Sequence, residues 1–225
     1  AGQVDDSEGV GVGETQAQVA ATQAQVADWK EVFDSLRTES SAQTSGWVDS
    51  FTGRLLSDQD MAEWADITTR RVLAHRPRRV LEIGCGAGLI ATRVLPECVE
   101  YTGTDLSTRT LDDLRVRLEQ DGTSGKATLM HREATDFAGI PLRHFDCVVI
   151  NSVAQYFPSA DYLLDTVRKA LTALRPGGMV YLGDVRDLRL LRAFHAAIER
   201  ERADSGDLVR DLAWRLVEFS QRLGG

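Results

Sequence analysis

The stretch Arg79-Val80-Leu81-Glu82-Ile83-Gly84-Cys85-Gly86-Ala87-Gly88-Leu89 decides the fold. Its first half is short and mostly apolar, the pattern of a parallel strand covered on both faces. Glycines then stand at 84, 86 and 88, and a helical pattern follows. Glycines at alternate positions permit a tight turn and let backbone approach a ligand with no side chain between. Open α/β sheets bind nucleosides at such a junction, outside the carboxyl ends of the strands.

Two features narrow the ligand. Dinucleotide-binding turns space their glycines G-x-G-x-x-G, and here Leu89 stands where the last of these would fall. Glu82 lies two residues before the first glycine, with its carboxylate expected near the mouth of the site. There it would repel a pyrophosphate and pair with an ammonium. S-adenosylmethionine carries an ammonium and a sulfonium and no phosphate, so charge favours it over NAD. Seventeen residues after Gly88, the strand-like run Glu100-Tyr101-Thr102-Gly103-Thr104-Asp105-Leu106 ends in an acid. Asp105 is placed to accept hydrogen bonds from both ribose hydroxyls, a role common to either cofactor. Its other reading is a helix N-cap, which Ser107 could equally supply.

Composition sets limits. The 225 residues carry a formal net charge of −8, which argues against nucleic acid as a partner. The cluster Arg70, Arg71, Arg76, Arg78, Arg79 reads as a solvated helix end and strand start. No apolar run approaches a membrane span, and the acidic, Gly-rich beginning has no signal-peptide pattern. Cys85, Cys98 and Cys147 lack metal-ligand spacing. No metal is expected, and scattered cysteines fit a reducing cytoplasm.

The chain divides into a disordered leader and helical arm (1–27), an N-terminal helical lid (28–78), an α/β core (79–204) and a C-terminal helix (205–225). Four glycines fall within residues 1–14, and the run Thr15 to Ala20 recurs as Thr22 to Ala27. That heptad repeat places Val19, Val26 and Phe33 on one helical stripe. Trp29 to Leu36 continues the helix, residues 39–45 form a polar loop, and Asp58 to His75 reads as an amphipathic helix capped by Ser57 and stopped before Pro77. Strands are expected near 79–83, 100–104, 127–131, 145–150 and 179–184. Helices are expected near 88–95, 107–120, 160–174, 187–202 and 207–222. Pro176-Gly177-Gly178 reads as the turn into the fifth strand. No strand-like segment follows Arg186, so no strand pair is expected beyond the fifth strand within these residues.

With these pieces placed, the sequence resembles class I S-adenosylmethionine-dependent methyltransferases. More narrowly, it is similar to the methyltransferase domains of nonribosomal peptide synthetases. The resemblance rests on Val80 to Leu89, Gly103 to Ser107 and above all Val149-Ile150-Asn151-Ser152-Val153-Ala154-Gln155-Tyr156-Phe157-Pro158. It continues through Arg175-Pro176-Gly177-Gly178, Gly183-Asp184-Val185-Arg186 and Ala193-Phe194-His195. Upstream, Trp47-Val48-Asp49-Ser50-Phe51-Thr52-Gly53 resembles the family's Trp-Asn-Ser-Ser-Tyr-Thr-Gly, with Val48 and Asp49 replacing its Asn and first Ser. The resemblance implies a Rossmann-like fold, α/β, with a mostly parallel sheet and helices on both faces. It implies that the chain is a domain excised from a synthetase, where such domains often sit within an adenylation domain, and that its substrate is an aminoacyl group tethered to a carrier protein. It also implies that Phe51 and Trp64 cover the cofactor. The binding set expected for the cofactor is then Phe51, Trp64, Glu82, Gly84, Cys85, Gly86, Gly88, Asp105, Leu106, Glu133, Ala134 and Asn151.

Methyl transfer is an in-line displacement in which the protein chiefly supplies positioning. An α-amine of pKa near ~8 is roughly one-tenth neutral at pH 7, so it needs no strong base. A hydroxyl does. Asn151 ends the fourth strand with a neutral amide, and no carboxylate or histidine lies in that segment, which tilts the reading towards an amine. Tyr156 is the candidate to line the acceptor pocket. Asp184 and Arg186 either pair with each other or face the substrate. His195 is a core histidine or, as the less favoured reading, a base. O-methylation, with Asp184 or His195 as base, and an inert cofactor-binding or docking domain are the alternatives.

Overall fold

The computed structural model describes residues 16–36 and 47–205. The expected leader, the polar loop at 39–45 and the expected last helix at 207–222 lie outside the described residues. Helix α1 (Gln16–Leu36) runs unbroken across the expected boundary at residue 27. Residues 47–56 fold back on themselves, with a bridge between Val48 and Leu55. The Asp49 carboxylate holds that turn by accepting from the Phe51 and Thr52 amides at 2.8 and 2.7 Å. Helix α2 (Asp58–Leu73) starts where Ser57 accepts from the Asp60 amide at 3.1 Å. It stops short of Pro77, after which the α/β unit begins.

Five strands follow: β1 (Arg79–Ile83), β2 (Glu100–Asp105), β3 (Ala127–His131), β4 (Phe145–Asn151) and β5 (Leu174–Gly183). They form one sheet in the order β3-β2-β1-β4-β5, parallel throughout. The connecting helices are α3 (Ala91–Val94), α4 (Thr108–Gln120) and α5 (Ala160–Ala173), and α6 (Leu191–Ser205) follows β5. Alternation along β1 and β4 feeds two cores. Val80, Cys147 and Val149 point into one, with Ala65 and Val72 of α2, Ala91 and Val94 of α3 and Leu111, Leu114 and Leu118 of α4. Leu81, Ile83, Val148 and Ile150 point into the other, against Ala170 and Ala173 of α5. Burial on both faces is why these strands read as near-continuous apolar runs. Because β2 and β4 flank β1, the strand order reverses there. In open α/β sheets such a reversal marks the ligand site at the carboxyl ends of the strands, here those of β1 and β4.

Three elements depart from expectation; in one, the helix expected over 187–202, a 3₁₀ turn Leu188–Leu190 precedes the helix Leu191–Ser205. The helix expected over 88–95 shrinks to Ala91–Val94 and a 3₁₀ turn, Leu95–Glu97. Gly88 at φ +80° lies outside helical geometry, and Pro96 has no amide hydrogen to continue the ladder. Strand β5 begins at Leu174 rather than 179. Phe145 pairs with Leu174 and Cys147 with Met179, so Arg175 to Gly178 bulge out between two paired stretches. A proline is tolerated in a bulge on a strand at the sheet edge. Among the described residues no strand follows Gly183, and no helix is long and apolar enough to cross a membrane.

Candidate active site at the carboxyl ends of the strands

The glycine turn is tied to β2, since the Gly84 and Cys85 amides both donate to the Thr104 carbonyl, at 2.8 and 2.9 Å. On its other side it leans on the loop after β4, where a Cβ on Gly84 would lie 2.7 Å from Val153 Cγ2. Gly86 differs. It holds φ +52°, and a Cβ there would meet nothing within 4 Å. Its backbone is bare towards open space, the condition for a ligand's close approach. The Gly86 amide donates to Asp105 Oδ2 at 2.8 Å, and the Ser107 amide donates to Oδ1 at 2.9 Å. Burial raises the Asp105 pKa while these amides oppose the shift. The N-cap role falls to Ser107, whose hydroxyl accepts from the Thr110 amide at 3.2 Å. The Leu106 carbonyl next door accepts from His131 Nε2 at 2.8 Å.

Glu82 is not the anion at the mouth that the sequence suggests. It is 3 % exposed, and the Tyr101 hydroxyl donates to its Oε2 at 2.6 Å. Loss of solvent pushes its pKa up to about 8, with the Asp105 charge adding and the Tyr101 hydrogen bond opposing. Glu82 shares the face of β1 that Val80 presents to the first core. It is therefore a largely neutral acid at pH 7, beneath the turn. Cys85 also faces inward, against Gly103, and burial pushes its thiol well above the usual range.

The ends of β4 and β5 form a second group. Asn151 is 7 % exposed, and its Nδ2 donates to Ser152 Oγ at 3.4 Å. Ser152 Oγ in turn donates to Asp184 Oδ2. Ser152 and Asp184 both hold φ +55°. Side chains bearing a Cβ at such angles cost roughly 1–3 kcal/mol each and persist where the surroundings fix them. Of the two readings for Asp184 and Arg186, the mutual pair does not form. Asp184 turns to Ser152, and the Arg186 guanidinium lies 5.8 Å over the Phe194 ring. Two α/β strand ends thus meet through an Asn–Ser–Asp chain that leaves arginine outside.

The remaining candidates lie around these groups. Tyr156 packs edge-on against Trp29 of α1 with centroids 4.6 Å apart, and burial raises its phenol pKa. Phe51 sits edge-on to Phe194 at 5.8 Å, and His195 follows Phe194 on α6 with its ring 6.0 Å away. Trp64 packs on Trp47 at 4.9 Å and against the first core. Beyond β3, the Glu133 carbonyl accepts from the Asp136 amide at 3.0 Å, while Ala134 packs on the second core. Sequence reasoning passed over Ser152 and Trp29. Serine carries no signal for a left-handed backbone, and a lone helical tryptophan carries none for its partner.

A methyltransferase-domain family matches residues 81–180. Chondramide synthase cmdD of Chondromyces crocatus is 41% identical over 192 residues, which are 83% of this chain and 5% of that protein. A probable non-canonical nonribosomal peptide synthetase, CymA of Salinispora arenicola, is 41% identical over 182 residues, 79% of this chain and 2% of that protein. The chain thus spans a small fraction of the length of these relatives. Among solved structures, the N-methyltransferase NodS of Bradyrhizobium japonicum in complex with S-adenosylhomocysteine has a TM-score of 0.57 at 21% identity. That similarity covers 74% of this chain and 82% of NodS, and it shows a shared fold. Family match, relatives and a parallel sheet with its bare glycine turn agree: the chain belongs to the S-adenosylmethionine-dependent methyltransferases, in the branch whose relatives are segments of nonribosomal peptide synthetases.

Proposed function

We propose that the chain methylates the α-amine of an aminoacyl group tethered to a carrier protein during nonribosomal peptide assembly. The observation that carries this reading is Asn151, a nearly buried neutral amide at the end of β4, on the strand paired with the one that enters the glycine turn. S-adenosylmethionine, when bound, supplies a methyl group already activated by its sulfonium. The bare backbone at Gly86 leaves room for that cofactor. A carboxylate has about four acceptor positions, so Asp105 keeps capacity for ribose hydroxyls beyond the amides it already holds. Leu106, Glu133 and Ala134 edge the place for the base, and Phe51 and Trp64 belong to the segments that close over it.

Towards the acceptor, Asn151 Oδ1 accepts one amine N–H and so aims the nitrogen lone pair. Reaching the neutral amine at pH 7 costs about 1.4 kcal/mol for a pKa near 8. A hydrogen-bond acceptor is then sufficient, and an amide is too weak a base to serve a hydroxyl. Tyr156 bounds the pocket on the side of α1.

The test is incubation with S-adenosylmethionine and an aminoacyl-carrier protein, followed by intact-mass and fragment analysis. One methyl on the α-nitrogen is the expected result. Methylation at oxygen would move the reading to a hydroxyl acceptor. Cofactor binding with no transfer to any tethered aminoacyl group would overturn it.

A further inference from the structure

We propose that Ser152 and Asp184 are positioning residues whose hydrogen bond decides which end of the Asn151 amide meets the acceptor. The inference rests on the amine-methylation reading and deepens it. A carboxylate only accepts hydrogen bonds, so the Ser152 hydroxyl must donate its proton to Asp184. Its oxygen is then left with acceptor capacity alone towards the neighbouring amide. The amide end it faces is Nδ2, at 3.4 Å. A flipped amide would set two acceptors against each other. The polarity of the chain from Asp184 through Ser152 therefore commits Asn151 Oδ1 to the opposite side.

Two further observations mark this as a built arrangement. Ser152 and Asp184 both hold a left-handed backbone at φ +55°, at the ends of neighbouring strands. Gly183, paired with Asn151 in the sheet, has no side chain, and a Cβ there would overlap Asn151 Oδ1. Glycine at 183 thus makes room for the carbonyl end, while Ser152 and Asp184 hold the nitrogen end. The consequence is an acceptor site that presents an oxygen to an N–H donor.

Asn151 is the only asparagine among the 225 residues, so ¹⁵N-asparagine labelling gives a single side-chain amide group, seen as one pair of signals. Ser152→Gly and Asp184→Gly each remove one member of the chain, and glycine suits the left-handed backbone at either position. In both variants the Asn151 side-chain amide signal should move and exchange faster with solvent. S-adenosylhomocysteine affinity by calorimetry should stay within about twofold, while kcat on the aminoacyl carrier falls by about 10- to 100-fold, as misaligned groups cost. In an Asn151→Ala background, Ser152→Gly should cost nothing further. An unmoved amide signal in both variants would overturn the proposal. So would an equal loss of kcat from Ser152→Gly with and without Asn151. If the wild type methylates oxygen, the amine reading falls while the same cycle on that acceptor still decides positioning. If it transfers to nothing supplied, the amide signal decides alone.

Discussion

Glu82 shows how one residue's chemistry is set by what packs around it. Its acid is held protonated in the fold up to a pKa of about 8, against 4.5 in the open chain. The folded pKa is raised, so its contribution is complete below pH 4.5 and is lost as pH climbs towards and through 8. The loss is on the order of a few kcal/mol. Glu82→Gln keeps an oxygen for the Tyr101 hydroxyl and removes the titration. Thermal melts from about pH 5 to pH 8 should fall for the wild type and stay nearly flat for the variant. Asp105→Ala removes the acceptor of the Gly86 and Ser107 amides. Calorimetry with S-adenosylhomocysteine should show at least a tenfold weaker Kd, about 1.4 kcal/mol or more, together with some loss of folding stability because two amides lose their acceptor. Asn151→Ala should instead lower kcat by at least about tenfold and leave that affinity largely unchanged. Asp105 was legible because its distance from the glycine turn is fixed by the strand-helix-strand unit. Burial of Glu82 was not, because it depends on Tyr101, nineteen positions away and on another strand.

At the scale of elements, the amino ends of three strands are joined by one carboxylate. Asp146 Oδ2 accepts from the Arg78 and Arg79 amides at 2.6 and 3.0 Å, and Oδ1 pairs with the Arg175 guanidinium in the β5 bulge. Its side chain is 10% exposed, so removing it leaves two amides and a guanidinium without their acceptor. Asp146→Ala should destabilise the fold by about 2–3 kcal/mol, read as a lower urea midpoint. S-adenosylhomocysteine affinity should hold, since the proposed cofactor site lies at the other end of the sheet. The strands themselves were legible: β1 and β3 form over the residues expected, and β2 and β4 gain only Asp105 and Asn151 at their ends. In β1 and β4 the apolar runs are long enough to outweigh local alternatives. The bulge in β5 was hidden, because Pro-Gly-Gly spells a turn whether the chain leaves the sheet or arches out and returns. Only the pairing of Leu174 with Phe145 distinguishes the two.

Across the whole molecule, the sheet is secured from both faces while the turn at 47–56 is held chiefly by aromatic contacts. Leu81 and Val80 anchor β1 in opposite cores, each with no measurable exposure. The turn at 47–56 meets α6 instead through Phe51 and Phe194, with Arg186 against the same ring. An edge-on aromatic pair is worth about 0.5–1.5 kcal/mol and an exposed cation–π contact about 0.5–1. Such energies are small beside a global stability of about 5–15 kcal/mol, so local opening of the turn precedes unfolding of the sheet. On the proposed reading that Phe51 covers the cofactor, this difference lets the turn open while the strand ends stay in place. Phe194→Ala removes both contacts at once. Hydrogen exchange read by mass spectrometry should speed up in 47–56 by about tenfold, while peptides from β1 and β4 keep their protection. Cofactor release should quicken in parallel, as measured by stopped-flow displacement of S-adenosylhomocysteine. Unchanged exchange at 47–56 would mean that the Asp49-held turn keeps its place without Phe194. The aromatic contact would then be packing on a surface rather than what holds the turn closed.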